Sequence, residues 1–141
     1  TVQAQILNLL VSLSDDLGMA VVMITHDIGI LHDFAHQVAV MYGGRLMEVG
    51  PVSHILSDPT HPYTRALLKA QPGRAPDAPR RRLPMIAGTP PSLAGQQRGC
   101  PFAPRCDVAL PHCSSQRPEM QISGSHRVAC HLAADRGSDP R

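Results

Sequence analysis

Four cysteines occur in this chain, and all of them lie in one window at residues 99–131. They are Cys100, Cys106, Cys113 and Cys130, and five, six and sixteen residues separate consecutive members. Four thiols complete a tetrahedral structural zinc site or hold an iron–sulfur cluster. A segment that binds such a centre is ordered by its ligands as well as by apolar packing. This window therefore constrains the fold of the C-terminal half more than any other feature.

The spacing of the cysteines favours a cluster over a single ion. Zinc ribbons and fingers usually place two ligands about two to four residues apart. The shortest gap here is five residues, and Pro101 and Pro104 hold it extended. Gaps of this length fit the ligands of a larger metal cluster better than those of a single small ion. The negative charge of four thiolates can be offset by the arginines in and around the window: Arg98, Arg105, Arg117 and Arg127.

Other interpretations of the thiols stay open, namely zinc, two disulfides or unrelated reduced thiols. A histidine could also replace one cysteine as a ligand, and the candidates are His112, His126 and His131. His131 is the best placed because it adjoins Cys130. The sequence shows no secretory signal and no apolar run near the ~20 residues of a membrane span. This indicates a cytosolic setting, where clustered cysteines bind metal more often than they form disulfides.

Charge and proline content divide the chain near Asp58. Residues 1–58 carry six acidic side chains, one basic side chain and one proline, a charge balance of −5. Residues 59–141 carry twelve basic side chains, five acidic ones and thirteen prolines, a balance of +7. We predict a first part at 1–58, a proline-rich and cysteine-bearing part at 59–132, and a disordered tail at 133–141. The chain enters helical periodicity directly at Thr1, which we interpret as a fragment of a longer protein.

The first part predicts an α/β layer. Apolar residues recur every three or four positions before Gly18, as on an amphipathic helix with one buried stripe: Val2, Ile6, Leu10, Leu13 and Leu17. Residues 20–24 are an unbroken apolar run, which is typical of a strand buried on both faces of a parallel sheet. Residues 38–41 and 45–49 predict a hairpin around Gly43-Gly44. Residues 52–56 and 63–70 predict short helices, and residues 72–99 an extended linker.

His26 and Asp27 follow the predicted buried strand. Ligands bind outside the carboxyl ends of strands in open α/β sheets, so an imidazole at this position is placed to hydrogen-bond a phosphate oxygen. The alternative is an ordinary surface histidine in a strand-to-helix loop. Asp27 is more simply the cap of the next helix, because its carboxylate can accept amide hydrogens of the first turn. The basic run at 80–82 could contact phosphate groups or an anionic membrane, or be merely solvated.

Several segments resemble one known family. Residues 22–27, Val-Met-Ile-Thr-His-Asp, resemble the switch-histidine segment of ABC-transporter ATPases. The segments that resemble the peptide-importer branch of these ATPases are 39–45, 48–50, 61–68 and 86–93. The window from Gly99 to Cys106, with Cys113, Pro118, His126 and Cys130, is similar to the oligopeptide/dipeptide transporter C-terminal region. The resemblance extends over nearly all of residues 1–132.

This resemblance implies an α/β fold: the C-terminal part of a P-loop NTPase sheet of the ABC type, followed by a loop-rich, metal-stabilised extension. It implies that ATP with Mg²⁺ binds the parent protein and that His26 contacts the γ-phosphate across a subunit interface. It also implies a 4Fe–4S cluster on Cys100, Cys106, Cys113 and Cys130, with zinc as the alternative.

The implied parent lies at the cytoplasmic face of the membrane. Its partners would be a second ATP-binding subunit, two membrane permeases and an extracytoplasmic peptide-binding protein, with no nucleic acid. The cargo would be a dipeptide, a longer peptide or nickel.

The sequence also departs from the family pattern. A phosphate loop, a signature motif and a Walker B carboxylate pair are missing, and no Gly-Lys-Ser/Thr occurs in the chain. We therefore expect the chain alone to be inactive as an ATPase. The rival interpretation is a stand-alone zinc-binding module that contacts nucleic acid through its basic half. The lack of interleaved aromatic residues and of a basic helix face argues against that module.

Overall fold

The computed structural model describes residues 2–71, 85–91 and 98–134. The helices in these ranges are α1 (Val2–Leu17), α2 (Leu31–Phe34), α3 (Val52–Ser57), α4 (Pro62–Lys69) and α5 (His131–Ala134). The strands are β1 (Gln37–Tyr42), β2 (Arg45–Pro51), β3 (Gln121–Ser123) and β4 (His126–Val128). Single 3₁₀ turns lie at Ile28–Ile30, Ala103–Arg105 and Pro111–Ser114. The expected α/β class is confirmed.

The four strands form one antiparallel sheet in the order β1-β2-β4-β3. The predicted hairpin of β1 and β2 is confirmed. Its turn residues Gly43 and Gly44 have φ of 56° and 75°, a left-handed conformation that glycine adopts without steric cost. Two such residues in a row give the turn whose twist matches that of the paired strands.

The sheet continues across the sequence boundary near Asp58. Glu48 pairs with Val128 and Val49 with Arg127, so the hairpin of β3 and β4 is added to the edge of β2. This second hairpin turns at Gly124, whose φ is 58°. The prediction of a parallel sheet is wrong for this part of the chain, because tight turns join the strands in antiparallel pairs.

The core also joins the two parts. Alternate residues of β1 point inward, and Val38 and Val40 pack with Ile55 of α3. Further along, Tyr42 and Met47 pack with Phe102, which is 2% exposed and comes from the cysteine window. The Tyr42 and Phe102 rings meet edge to face with centroids 5.4 Å apart, a favourable aromatic geometry. The cysteine window is therefore anchored in the same core as the hairpin.

The N-terminal segment folds as predicted but is not buried as predicted. Helix α1 ends before Gly18, whose φ is 61°. However, the stripe expected to be buried is exposed, with Val2 at 72% and Leu17 at 64%. Leu7 is the buried apolar residue of this helix.

Residues 20–24 are not a strand, and Val22 and Ile24 are 92% and 96% exposed. A strand buried on both faces needs paired neighbours and covering helices. Within the described residues, the strands pair only with one another.

Some predictions lie outside the described residues. These are most of the linker at 72–84 and 92–97, including Arg80, Arg81 and Arg82, and nearly all of the predicted tail, at 135–141. The short described stretch at 85–91 has no regular secondary structure. Among the described helices, none combines the length and apolarity that crossing a bilayer requires.

Candidate functional site

The four cysteines line one pocket. Its wall consists of residues from α4, the window at 100–118 and the start of α5: His61, Pro62, Cys100, Phe102, Ala103, Cys106, Val108, Cys113, Pro118, Cys130, His131 and Leu132. The pocket has a cavity volume of only about 20 Å³ and is partly open to solvent. All four thiols are free and half-buried. The structure therefore brings together the cysteines that the sequence grouped, and it does not pair them as disulfides.

Short turns aim backbone amides at the sulfurs. The amide of Leu110 donates to Sγ of Cys113 at 3.4 Å. The amides of Phe102 and Ala103 point at Cys100, that of Val108 at Cys106, and those of Leu132 and Ala133 at Cys130. Amide hydrogens that face a sulfur stabilise its anionic, metal-binding form. Each of the four sulfurs therefore has backbone donors of the kind that a thiolate ligand uses.

A close backbone contact holds two of the cysteine turns together. The amide of Cys100 donates to the carbonyl of Cys113 at 2.8 Å. The preceding residue, Gly99, lies very close to the backbone of Cys113 and Ser114. A Cβ atom built on Gly99 would stand 2.3 Å from the Cys113 carbonyl oxygen. It would also stand 2.5 Å from the Ser114 carbonyl carbon. Only glycine fits at this position.

The thiols influence one another electrostatically. Burial raises the pKa of Cys100, and the nearby Cys113 and Cys130 raise it further, while the amides at Phe102 and Ala103 lower it. Burial likewise raises the pKa of Cys106 and of Cys130, and other cysteines of the group contribute in the same direction. The raised pKa values of Cys100, Cys106 and Cys130 favour the protonated thiol at these three positions.

The arrangement does not converge on one point. Across residues 2–71, 85–91 and 98–134, no three His, Cys, Asp or Glu side chains stand where they could hold a single metal ion. The suggested substitute ligands are partly engaged elsewhere. His131 lines the pocket, but its Nε2 donates to the Gln116 carbonyl at 3.1 Å. His126 donates to a carboxylate in the core, and the ring of His112 packs against His131 at 4.4 Å.

A buried carboxylate connects the pocket to the sheet. Glu48 of β2 is fully buried and accepts three hydrogen bonds. The donors are the amide of Thr60 at 2.6 Å, the amide of His61 at 3.1 Å and Nε2 of His126 at 2.8 Å. The ring of His126 in turn stacks on His54 at 4.3 Å. Glu48 thereby ties β2, the start of α4 and β4 together, a role that the sequence analysis missed.

His61 is the buried histidine of the pocket wall, with 1% of its surface exposed. It is the N-cap of α4, where its Nδ1 accepts the amide of Tyr63 at 3.0 Å. Burial lowers the pKa of His61 to about 4, an effect that the Glu48 carboxylate and the Ala129 carbonyl oppose. The sequence signal for this N-cap role was the pair His61-Pro62. Proline favours the first position of a helix, so the residue before it occupies the N-cap position.

Arg105 fixes the short described stretch at 85–91 to the cysteine window. Its guanidinium donates to the carbonyls of Ile86 and Ala87 at 2.7 and 2.8 Å and to the Tyr42 hydroxyl at 2.9 Å. The sequence analysis had assigned Arg105 to charge compensation of the centre. In the structure its guanidinium hydrogen-bonds these three neutral acceptors, which leaves its positive charge in place and adds an anchoring role.

His26 lies apart from the pocket, on an exposed bend between residues 20–24 and the 3₁₀ turn at 28–30. The bend is fixed by its neighbours. Thr25 Oγ1 accepts the amide of Asp27 at 3.0 Å, and Asp27 Oδ1 accepts the amide of Gly29 at 2.8 Å. The predicted capping role of Asp27 is confirmed. The expected position of His26 at the end of a buried strand is wrong here, because residues 20–24 form no strand.

Known proteins are similar to this sequence. Residues 47–113 match the family described as "Oligopeptide/dipeptide transporter, C-terminal region". A protein of Brucella abortus named for peptide import and ATP binding is 44% identical over 132 residues, which cover 94% of this chain and 39% of that protein. Residues 47–113 therefore carry the oligopeptide/dipeptide transporter C-terminal region.

Two further relatives support this assignment. A peptide import ATP-binding protein of Brucella melitensis is 43% identical over 130 residues. A peptide ABC transporter ATP-binding protein of Sinorhizobium fredii is 44% identical over 131 residues. In both cases 92% of this chain and 39% of the relative are covered. The chain thus spans well under half the length of these transporter proteins.

The oligopeptide/dipeptide transporter region matched here contains much of the candidate site. Glu48, His61 and the first three cysteines fall within residues 47–113. Cys130 and His26 fall outside that range.

Proposed function

We propose that this chain is the C-terminal part of the ATP-binding subunit of an ABC importer that couples ATP hydrolysis to the uptake of peptides or nickel. The observation that carries the proposal is the 44% identity over 132 residues to a protein named for peptide import and ATP binding. ATP with Mg²⁺ belongs to the complete subunit in this proposal, since no Gly-Lys-Ser/Thr occurs in the 141 residues.

The proposed role of His26 is to contact the γ-phosphate of ATP at a subunit interface. An imidazole can hydrogen-bond a phosphate oxygen, and loss of the γ-phosphate would remove its partner. Two features support this role. The side chain is exposed, and the bend that carries it is fixed by the hydrogen bonds of Thr25 and Asp27. A residue that binds a ligand needs an ordered backbone and an accessible side chain, and His26 has both.

The exposed apolar surface before His26 fits the same proposal. Val22, Ile24 and the stripe of α1 present large apolar side chains to solvent. Contiguous apolar surface of this kind marks a protein contact. We assign the contact to the remainder of the ATP-binding subunit, which would cover these side chains in the complete protein.

The proposed role of the cysteine pocket is to hold a 4Fe–4S cluster through Cys100, Cys106, Cys113 and Cys130. Two observations support a cluster: the four thiols line one pocket, and backbone amides face their sulfurs. When bound, the cluster would supply four metal–sulfur links between turns that share little apolar core. Its role would be to brace residues 99–131, since no redox partner is indicated by the sequence.

The assembly proposed for the parent is a membrane complex. It would contain a second ATP-binding subunit, two permeases and an extracytoplasmic peptide-binding protein, with this subunit peripheral at the cytoplasmic face. The proposal is supported by the names of the relatives, which refer to peptide import and ATP binding. No nucleic acid is part of it.

The test uses the complete subunit, assembled with its permeases in vesicles, and measures peptide-stimulated ATP hydrolysis. His26→Ala should lower turnover about 100-fold, because removal of one positioned polar contact to a transferring group costs on the order of 10²–10³ in rate. His32→Ala is the matched control, since His32 is exposed and contacts only Asp33 among the interactions of the described residues. Near-normal turnover of His26→Ala would refute the phosphate role.

A further inference from the structure

The turns that carry Cys100 and Cys113 touch through their backbones. The amide of Cys100 donates to the carbonyl of Cys113 at 2.8 Å. Among the turn and loop hydrogen bonds of residues 2–71, 85–91 and 98–134, this is the one that joins two cysteines. Gly99 permits the approach, because a side chain at this position would collide with the backbone of Cys113 and Ser114. The fold therefore holds this pair of cysteines at close range.

This contact sets the two residues at a separation that a disulfide can span. With an N···O distance of 2.8 Å, standard bond lengths allow no more than about 6 Å between the two Cα atoms. Disulfides join Cα atoms that lie about 4.4–6.8 Å apart. Both cysteines are free and line the same small pocket. A bond between them therefore requires rotation of the side chains and little movement of the backbone.

The surroundings of the two sulfurs differ in a way that suits a two-step oxidation. The amide of Leu110 donates to Sγ of Cys113 at 3.4 Å, and such a donor favours the thiolate, which is the nucleophilic form. Burial raises the pKa of Cys100, and the nearby Cys113 adds to this effect, so Cys100 keeps its proton. Both residues are half-buried in a pocket that is partly open to solvent, so a small oxidant can reach them.

We propose that Cys100 and Cys113 are a redox-sensitive pair, which a peroxide converts to a reversible disulfide in the chain without a bound centre. The Cys113 thiolate attacks one peroxide oxygen, the O–O bond breaks, and water leaves a sulfenic acid on Cys113. The sulfur of Cys100 then attacks the Cys113 sulfur, the S–S bond forms, and the hydroxyl group leaves as water with the Cys100 proton. Two thiols lose two electrons and two protons, and the peroxide becomes two water molecules. A dithiol reverses the step.

The disulfide would change what the pocket can bind. It uses two of the four thiols and leaves Cys106 and Cys130 reduced. The oxidised chain would then lack two of the ligands proposed for the cluster until a dithiol restores them. Transient disulfides of this kind usually serve redox sensing in reducing compartments. The inference concerns the chain without a centre, so it does not depend on the proposed cluster.

Peptide mapping of the oxidised chain tests this pair. The reduced, metal-free chain receives one equivalent of hydrogen peroxide, its remaining thiols are blocked with iodoacetamide, and it is digested with trypsin. Cleavage after Arg98 and Arg105 isolates Cys100 on the peptide 99–105. Fragmentation of the linked partner peptide then shows which other cysteine is joined. The same oxidation in urea is the control, because it keeps all four thiols and removes the backbone contact.

In the folded chain, the link between Cys100 and Cys113 should account for most of the linked peptide. In urea its share should fall to about one-sixth, because four thiols allow six pairs. Cys106→Ser should keep the native link, and Cys113→Ser should lose it. An equal share in the folded and unfolded chains would overturn the proposal. So would a dominant link between Cys113 and Cys130, or oxidised Cys113 without any link. None of these results bears on the cluster, which the metal content of the chain tests separately.

Discussion

Replacement of Glu48 by alanine tests the connection between the sheet and the cysteine window. The carboxylate is fully buried and accepts from the amides of Thr60 and His61 and from Nε2 of His126. Its removal leaves one buried donor and two partly buried donors without this acceptor and opens a small cavity. One unsatisfied donor costs ~1–3 kcal/mol, and removal of one partner of a buried charged pair costs roughly 3–5 kcal/mol. We therefore expect the free energy of unfolding to fall by about 3–5 kcal/mol.

Urea unfolding followed by circular dichroism measures this change. The total stability of a domain is ~5–15 kcal/mol, so Glu48→Ala should lie close to the unfolding threshold. Glu119→Ala is the matched control, because Glu119 is exposed and surface substitutions usually change stability by less than about 0.5 kcal/mol. If Glu48→Ala were as stable as Glu119→Ala, the three hydrogen bonds would not hold these elements together, and the reasoning would fail.

Three further predictions follow from the site. Gly99→Ala should break the contact between the Cys100 and Cys113 turns, because its Cβ would stand 2.3 Å from a backbone oxygen, and iron uptake should be lost. Gly124→Asn should keep iron uptake, because nothing stands near that position and asparagine tolerates its left-handed φ of 58°. Arg105→Lys replaces the three separate nitrogens that contact these acceptors with a single ammonium nitrogen, which cannot reach all three positions. Amide hydrogen exchange at 85–91 should therefore rise while α3 stays protected, and unchanged exchange would refute this anchor.

In the metal-free, reduced chain, the stability contributed by neutral His61 should be complete above pH 6.5. It should fall by about 3 kcal/mol as the pH drops to about 4. The sign follows from a folded-state pKa that burial depresses, so that the unfolded chain binds more protons. The free energy of unfolding of His61→Asn, measured with urea at each pH, should lack this dependence on pH. An equal loss of stability in both chains as the pH falls would contradict the prediction.

Local signals predicted the elements that depend on local chemistry. The Gly43-Gly44 turn, the Asp27 cap and the short helices at 52–56 and 63–70 were all confirmed, because each is decided by residues within a few positions. The grouping of the cysteines was also predicted from spacing alone, and the structure places them around one pocket. These features need no knowledge of the rest of the fold.

Burial could not be predicted in the same way. The apolar run at 20–24 and the stripe of α1 have the composition of buried elements, yet Val22 and Ile24 are almost fully exposed. Burial depends on what packs against a segment, and periodicity does not name the partner.

The functions of Glu48 and His61 were missed for a related reason. Glu48 stands in an apolar run and pairs with donors 12 to 78 residues away. A charged residue between Met47 and Val49 on a strand was the one signal for this role.

The short strands β3 and β4 were also missed. Three residues each are too few to show alternation, and the pairing of β4 with β2 spans about 80 residues of sequence. The turn at Gly124 was a usable signal, because glycine between polar residues marks a hairpin. The predicted boundary near Asp58 stays a prediction for the parent protein, although the sheet and the core cross it here.

The metal content of the anaerobically purified chain tests the central claim most directly. Iron, acid-labile sulfide and zinc are measured per chain, beside Cys106→Ser as the ligand-deficient control. The account predicts a brown protein with about four iron and four sulfide per chain, and a marked loss of both in Cys106→Ser. A colourless chain with neither iron nor sulfide, or one with a single zinc, would contradict it.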